Sequence, residues 1–139
     1  MLKFALQKVK KISLNFAESN LPLGDINSER NSETIYGKIK ETFYQIGLIY
    51  GGRVLVITPI KRINYEYNNS HGYKLEDLCQ AIKDVAKNVN YPILDLYNDL
   101  PIGGMNLQLY TTDGLHPNQD CVNGIITPVI LDFVKKYVI

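Results

Sequence analysis

The stretch TTDGLHPNQD, residues 111–120, sets an acid, Asp113, three positions before a histidine, His116, with Gly114 between them and Pro117 directly after. An imidazole that is to move protons needs a partner on one ring nitrogen, to fix its tautomer and stabilise its charged form. A carboxylate does both and leaves the second nitrogen free as a general base. Gly114 relaxes the backbone enough for a carboxylate three residues away to fold back on the ring, and Pro117 stiffens the exit. The same pattern also serves as a surface hydrogen bond or a helix cap, so the pair alone does not define catalysis. Asp113 and His116 could supply two metal ligands, but no third histidine, cysteine or acid stands at ligand spacing, so neither a metal nor a cofactor is expected. The other histidine, His71 in NNSHGY, reads as an ordinary loop residue. Cys121, five positions beyond His116, is a conceivable nucleophile, but its place in an apolar helix reads as a buried thiol acting as a small hydrophobe.

The elements that must hold this turn follow from hydrophobic periodicity. KKISLNFAE, beginning at Lys10, predicts a short strand with Ile12, Leu14 and Phe16 on one face. The turn-rich SNLPLGDINSERNS follows as a loop. Ser32 is placed to cap a helix from Glu33, whose Ile35, Ile39, Phe43 and Ile46 recur every three or four residues, and Gly47 offers a stop. RVLVITP, residues 53–59, predicts a strand covered on both faces. After the polar loop KRINYEYNNSHG, a helix is predicted from the stripe Leu75, Leu78, Ile82, Val85, Ala86 and Val89. YPILDLY, residues 91–97, predicts a further strand, and a loop with Gly103 and Gly104 leads to the Asp113–His116 turn. A last helical stripe runs through Val122, Ile125, Ile126, Val129, Ile130, Phe133 and Val134, with Pro128 expected to kink or split it. Strands alternating with helices predict an α/β domain with about three core parallel strands, and the turn past the last strand sits at the sheet's reactive edge.

At 139 residues, with 45% hydrophobic and 21% charged residues, the chain has the profile of one soluble globular domain, residues 1–139. Its formal charge of +1 provides no field to draw it to nucleic acid or an anionic membrane. The start, MLKFALQKVKK, is basic but lacks interleaved aromatic residues, and reads as a solvated flank rather than a nucleic-acid arm. Its apolar run is too short for a secretory signal, and no window has the length of a membrane span. Cys79 and Cys121 stand in no C-x-x-C pattern, and two cysteines without a signal suggest reduced thiols in a cytoplasmic protein.

LYTTDGLHPNQ resembles the C-terminal catalytic signature of the SGNH/GDSL hydrolases, serine esterases and lipases in which Asp-x-x-His-Pro opens the final helix. RVLVITPIKR, GYKLEDLCQAIKDVAKNVNYPILDLY and NLPLGD look like further segments of that family, and the resemblance spans roughly residues 14–138. It implies an incomplete three-layer, flavodoxin-like parallel sheet, with His116 as general base and Asp113 as the acid that orients it. It implies hydrolysis of a carboxylic ester, an acyl or acetyl ester or an acylated carbohydrate. The family's Gly-Asp-Ser nucleophile has no counterpart: GDI at 24–26 puts Ile26 at the serine position. For the family's oxyanion-donating asparagine, counting back from LPLGD places Leu14 at that position, and a one-residue slip makes Asn15 the donor, with Asn20 a weaker candidate. Residues 1–10 match no part of the family. The resemblance therefore implies an N-terminally truncated esterase with little activity alone, or a glycan- or partner-binding module on the same fold. Loss of the first strand would leave Ile12–Phe16 as an open sheet edge, so self-association through it, pairing with residues 2–10, or poor solubility is expected.

Overall fold

The computed structural model describes residues 21–51 and 53–137. The strand expected at Ile12–Phe16, and with it the self-associating edge, lies outside the described residues.

Helix α1, Ile35–Tyr50, starts two residues later than expected. Thr34, not Ser32, is the cap: its Oγ1 accepts from the Gly37 N–H at 3.0 Å. The buried face is the expected one, carrying Ile35, Ile39 and Phe43. Each such apolar side chain contributes on the order of 1.5–3 kcal/mol when fully buried. Gly47 does not end the helix. It makes room for Tyr91, whose hydroxyl lies 2.8 Å from where a β-carbon would sit. The stop is Gly51, left-handed at φ 60°, whose N–H bonds back to the Gly47 carbonyl.

Helix α2, Leu75–Asn88, buries Leu75, Leu78, Cys79, Ala81, Ile82, Val85 and Ala86 against α1. Asp77 Oδ2 accepts from the Lys74 N–H at 2.8 Å and closes the first turn. Glu76 and Asp77 at the start and Lys87 at the end complement the helix dipole. Val89, expected on the buried stripe, lies past the helix end and is exposed.

Strands β1, Val56–Ile57, and β2, Ile93–Leu94, pair in parallel, Val56 opposite Ile93 and Ile57 opposite Leu94. Val56 and Ile93 face the α1–α2 core, while Ile57 and Leu94 face a second core with Leu96, Leu100, Ile102, Cys121 and Phe133. Among the described residues this is a two-stranded sheet in a chain that is mostly helical, and the expected three-stranded flavodoxin-like sheet is not formed. The reason is local. Pro59 and Pro92, which have no N–H to give a ladder, bracket the pairing. Asp95 then turns the chain into a short helix, α3, Leu96–Asp99, by accepting from the Asn98 N–H. Val54 and Val56 of this run are buried in the α1–α2 core, and hydrophobicity alone does not distinguish burial by helices from burial by strands.

Beyond α3, a 3-10 turn, Gly104–Asn106, and helix α4, Leu107–Tyr110, lead to the Asp113–His116 turn. Helix α5, Gln119–Cys121, passes through a π-helical segment, Val122–Ile126, into α6, Thr127–Lys135. The break expected at Pro128 is this change of helical register, beside a residue that cannot donate to the preceding turn.

Candidate functional site: the Asp113–His116 turn and the neighbouring cleft

The turn is built almost wholly from its own residues. Asp113 Oδ1 accepts from the backbone N–H groups of Leu115 at 2.8 Å and His116 at 2.7 Å. Its Oδ2 lies 2.6 Å from His116 Nδ1. Thr111 Oγ1 accepts from the Gly114 N–H and donates to the Leu107 carbonyl, tying the turn to α4. Asn118 closes the other side. Its N–H donates to the Tyr110 carbonyl, its side-chain amide donates to the Leu109 carbonyl, and its Oδ1 caps α5 at Cys121. Gly114 is required twice over. Its φ of 81° is left-handed, and a β-carbon there would meet the Ile63 side chain at 2.9 Å. Ile63 also donates its N–H to the Gly114 carbonyl, so the loop after β1 is clasped to the turn.

Both side chains are exposed, 69% for His116 and 49% for Asp113, so the imidazole is oriented by the carboxylate yet open to solvent. The His116 N–H, the His116 ring and the Leu115 N–H together hold the Asp113 carboxyl down at about 2. Asp113 therefore stays ionised as the partner of Nδ1. Among the described residues, no hydroxyl, thiol or other side chain hydrogen-bonds Nε2.

Asn15, Leu14 and Asn20 lie outside the described residues. Cys121 is fully buried in the second core, and burial pushes its thiol up, as for an inert apolar side chain rather than a nucleophile. His71 sits in an exposed turn where Asn69 Oδ1 accepts its N–H, apart from the pair. Ile26 stands in the Asp25–Ser28 turn, with Ser28 Oγ accepting from the Asp25 N–H. Among the described residues, no group of three or more His, Cys, Asp and Glu side chains converges as a metal site would require.

Two features escaped the sequence. The first is a polar junction at the carboxyl ends of β1 and β2. Buried Thr58 donates to Asp95 Oδ1 at 3.2 Å and accepts from the Tyr97 N–H, while Lys83 donates to Asp95 Oδ2 at 2.8 Å. Burial pushes the Asp95 carboxyl up, but the Lys83 ammonium and Asn98 outweigh it and hold it below its usual range. The second is a cleft of about 610 Å³ between the 62–74 loop and the start of α2, with Leu115 of the turn on one wall. Only the run of tyrosines and asparagines in KRINYEYNNSHGYK hinted at it.

No protein-family model matches the chain, and no curated protein matches it. Two solved structures do. One is the crystal structure of a protein from Lactobacillus plantarum, a structural-genomics target, with TM-score 0.73 and 22% identity. The alignment covers 86% of this chain and 62% of that one. A second crystal structure aligns at TM-score 0.72 and 21% identity, over 92% of this chain and 61% of the other. These likenesses show a shared fold, of which this chain spans about three-fifths of the neighbours' length.

The SGNH/GDSL resemblance and the serine-esterase activity drawn from it do not hold. The fold is mainly helical, no family model supports the motif match, and His116 has no alcohol partner among the described residues. A short Asp-x-x-His-Pro run is equally the signature of an Asp-capped turn entering a helix, which is the local structure it forms here. No helix among the described residues is long and apolar enough to cross a membrane.

Proposed function

We propose that the Asp113–His116 turn is a proton-transfer site. His116 Nε2 takes a proton from, or returns one to, a small molecule approaching from solvent, and Asp113 holds the ring in the Nδ1–H tautomer. Asp113 is a positioning residue and His116 the reacting group. The observation that carries this reading is the 2.6 Å contact between Asp113 Oδ2 and His116 Nδ1 on an exposed ring. Such an arrangement fixes the ring's tautomer and leaves the far nitrogen open to solvent. The reading needs no metal and no cofactor, takes a small molecule rather than nucleic acid as partner, and treats residues 1–139 as one domain. A cytoplasmic, reducing setting is supported by Cys79 and Cys121, which are buried free thiols.

Carbethoxylation with diethyl pyrocarbonate, in which an unprotonated imidazole nitrogen attacks the reagent, tests it with His71 as an internal standard. His116 is expected to react faster than His71, and Asp113→Asn to slow His116 several-fold while leaving His71 unchanged. Equal rates for the two histidines, untouched by Asp113→Asn, would reduce Asp113 to a turn cap.

A further inference from the structure

We infer that the cleft beside the turn is a binding site for a sugar-like ring that carries an anionic group, a carboxylate or a phosphate ester. The inference deepens the proton-transfer reading by naming the ligand of the same site. The cleft's volume of about 610 Å³ falls within the usual range for small-molecule sites, roughly 300–1,000 Å³. Its walls divide by chemistry. Tyr65, Tyr67 and Tyr73 line it, Tyr73 as a buried ring of the α1–α2 core and Tyr67 as the exposed one. The Tyr65 hydroxyl accepts from the Gly104 N–H and the Tyr73 hydroxyl donates to the Leu21 carbonyl, so those two rings are fixed, while Tyr67 is 70% exposed. The anchored Tyr65 ring and the adaptable Tyr67 ring suit a partly apolar ring ligand.

Polar recognition comes from the amides of Asn64 and Asn68, which make no side-chain hydrogen bond to other described residues and so offer donors and acceptors to hydroxyls. Among the described lining residues none is a carboxylate, and Lys74 brings an ammonium to the wall. The Lys74 ammonium pairs with no acid among the described residues, and its backbone N–H is the part engaged with Asp77. A neutral sugar would leave the Lys74 ammonium unused, whereas an anionic one pairs with it. The clasp between Ile63 and Gly114 joins this cleft to the His116 turn, since Ile63 and Leu115 both line it.

Titration of the full chain with glucose, glucuronate and glucose 6-phosphate, followed by proton–nitrogen NMR, tests this. The expected result is saturable shifts at residues 62–69, Lys74 and Leu115, with at least one anionic sugar binding about tenfold or more tighter than glucose. Lys74→Gln should abolish that preference and Tyr67→Ala weaken all binding, with the remaining spectrum unchanged. The glucuronate and phosphate arms tell which anion is preferred. Equal weak binding of glucose and both anionic sugars, or shifts confined to residues outside the cleft, would overturn the inference. Binding in the cleft that leaves the His116 ring signals unmoved would sustain the inference and break the proton-transfer link. Absence of cleft binding with His116 still fast toward diethyl pyrocarbonate would do the reverse.

Discussion

Asp113 and Asp95 are both held below the usual carboxylate range, and they achieve it in opposite ways. Asp113 is exposed, and all its partners lie within three residues of it: two backbone N–H groups and one imidazole. Asp95 is largely withdrawn from solvent, and its partners come from the residue just past β1, from α2 and from its own turn. One is a local device that leaves a reactive ring available. The other joins three elements of the fold and offers no free group. A depressed carboxyl is therefore no mark of function by itself. What separates the two is whether the partner retains an unused atom facing solvent.

The largest effect should come from breaking the Asp95 junction. Asp95→Ala leaves Lys83 without its counterion and Thr58 without its acceptor, and stranding the partners of this partly buried pair costs about 1–3 kcal/mol. Urea unfolding checks this, and a loss below about 0.5 kcal/mol would place Asp95 with surface ion pairs. Next is Gly114→Ala, which sets a β-carbon against Ile63 at a left-handed backbone position and should cost about 1–3 kcal/mol. The same substitution should alter the His116 ring environment, whereas Asp95→Ala should not. If Gly114→Ala is harmless, the clasp between Ile63 and the turn is not tight.

The smallest effect is in acid. Asp113 has its carboxyl lowered from 3.8 to about 2, so its contribution to the turn is fully present above pH 3.8 and is lost as pH falls through about 2. The Leu115 and His116 amide signals should therefore move together with a midpoint near pH 2. A midpoint near 4 would mean that the three donors do not hold the carboxylate.

This contrast also explains what could be read in the sequence. The stripe of α2 and the buried face of α1 were legible because helical period encodes one face directly. The Asp113–His116 contact was legible because its partners are neighbours in the chain. The ends of α1 are not legible because Ser32 and Thr34 are both competent caps, and because Gly47 serves the packing of Tyr91 while Gly51 makes the stop. The sheet was overbuilt because RVLVITP and YPILDLY look like buried strands, whereas proline bracketing and the Asp95 turn limit pairing to two residues in each. The short Asp-x-x-His-Pro run resembles a family motif, but the mainly helical fold does not support that family. The Asp95 junction and the cleft depend on residues far apart in the chain, such as Thr58 with Asp95 or Tyr65 with Leu115, and no local pattern announces them.

The most direct test of the central claim is nitrogen NMR of the His116 ring at a pH where the imidazole is neutral. The account predicts a proton on Nδ1, facing Asp113, and a bare Nε2, with Asp113→Asn shifting the population toward the Nε2–H form. A ring already in the Nε2–H form, or one whose tautomer ignores Asp113→Asn, would contradict it.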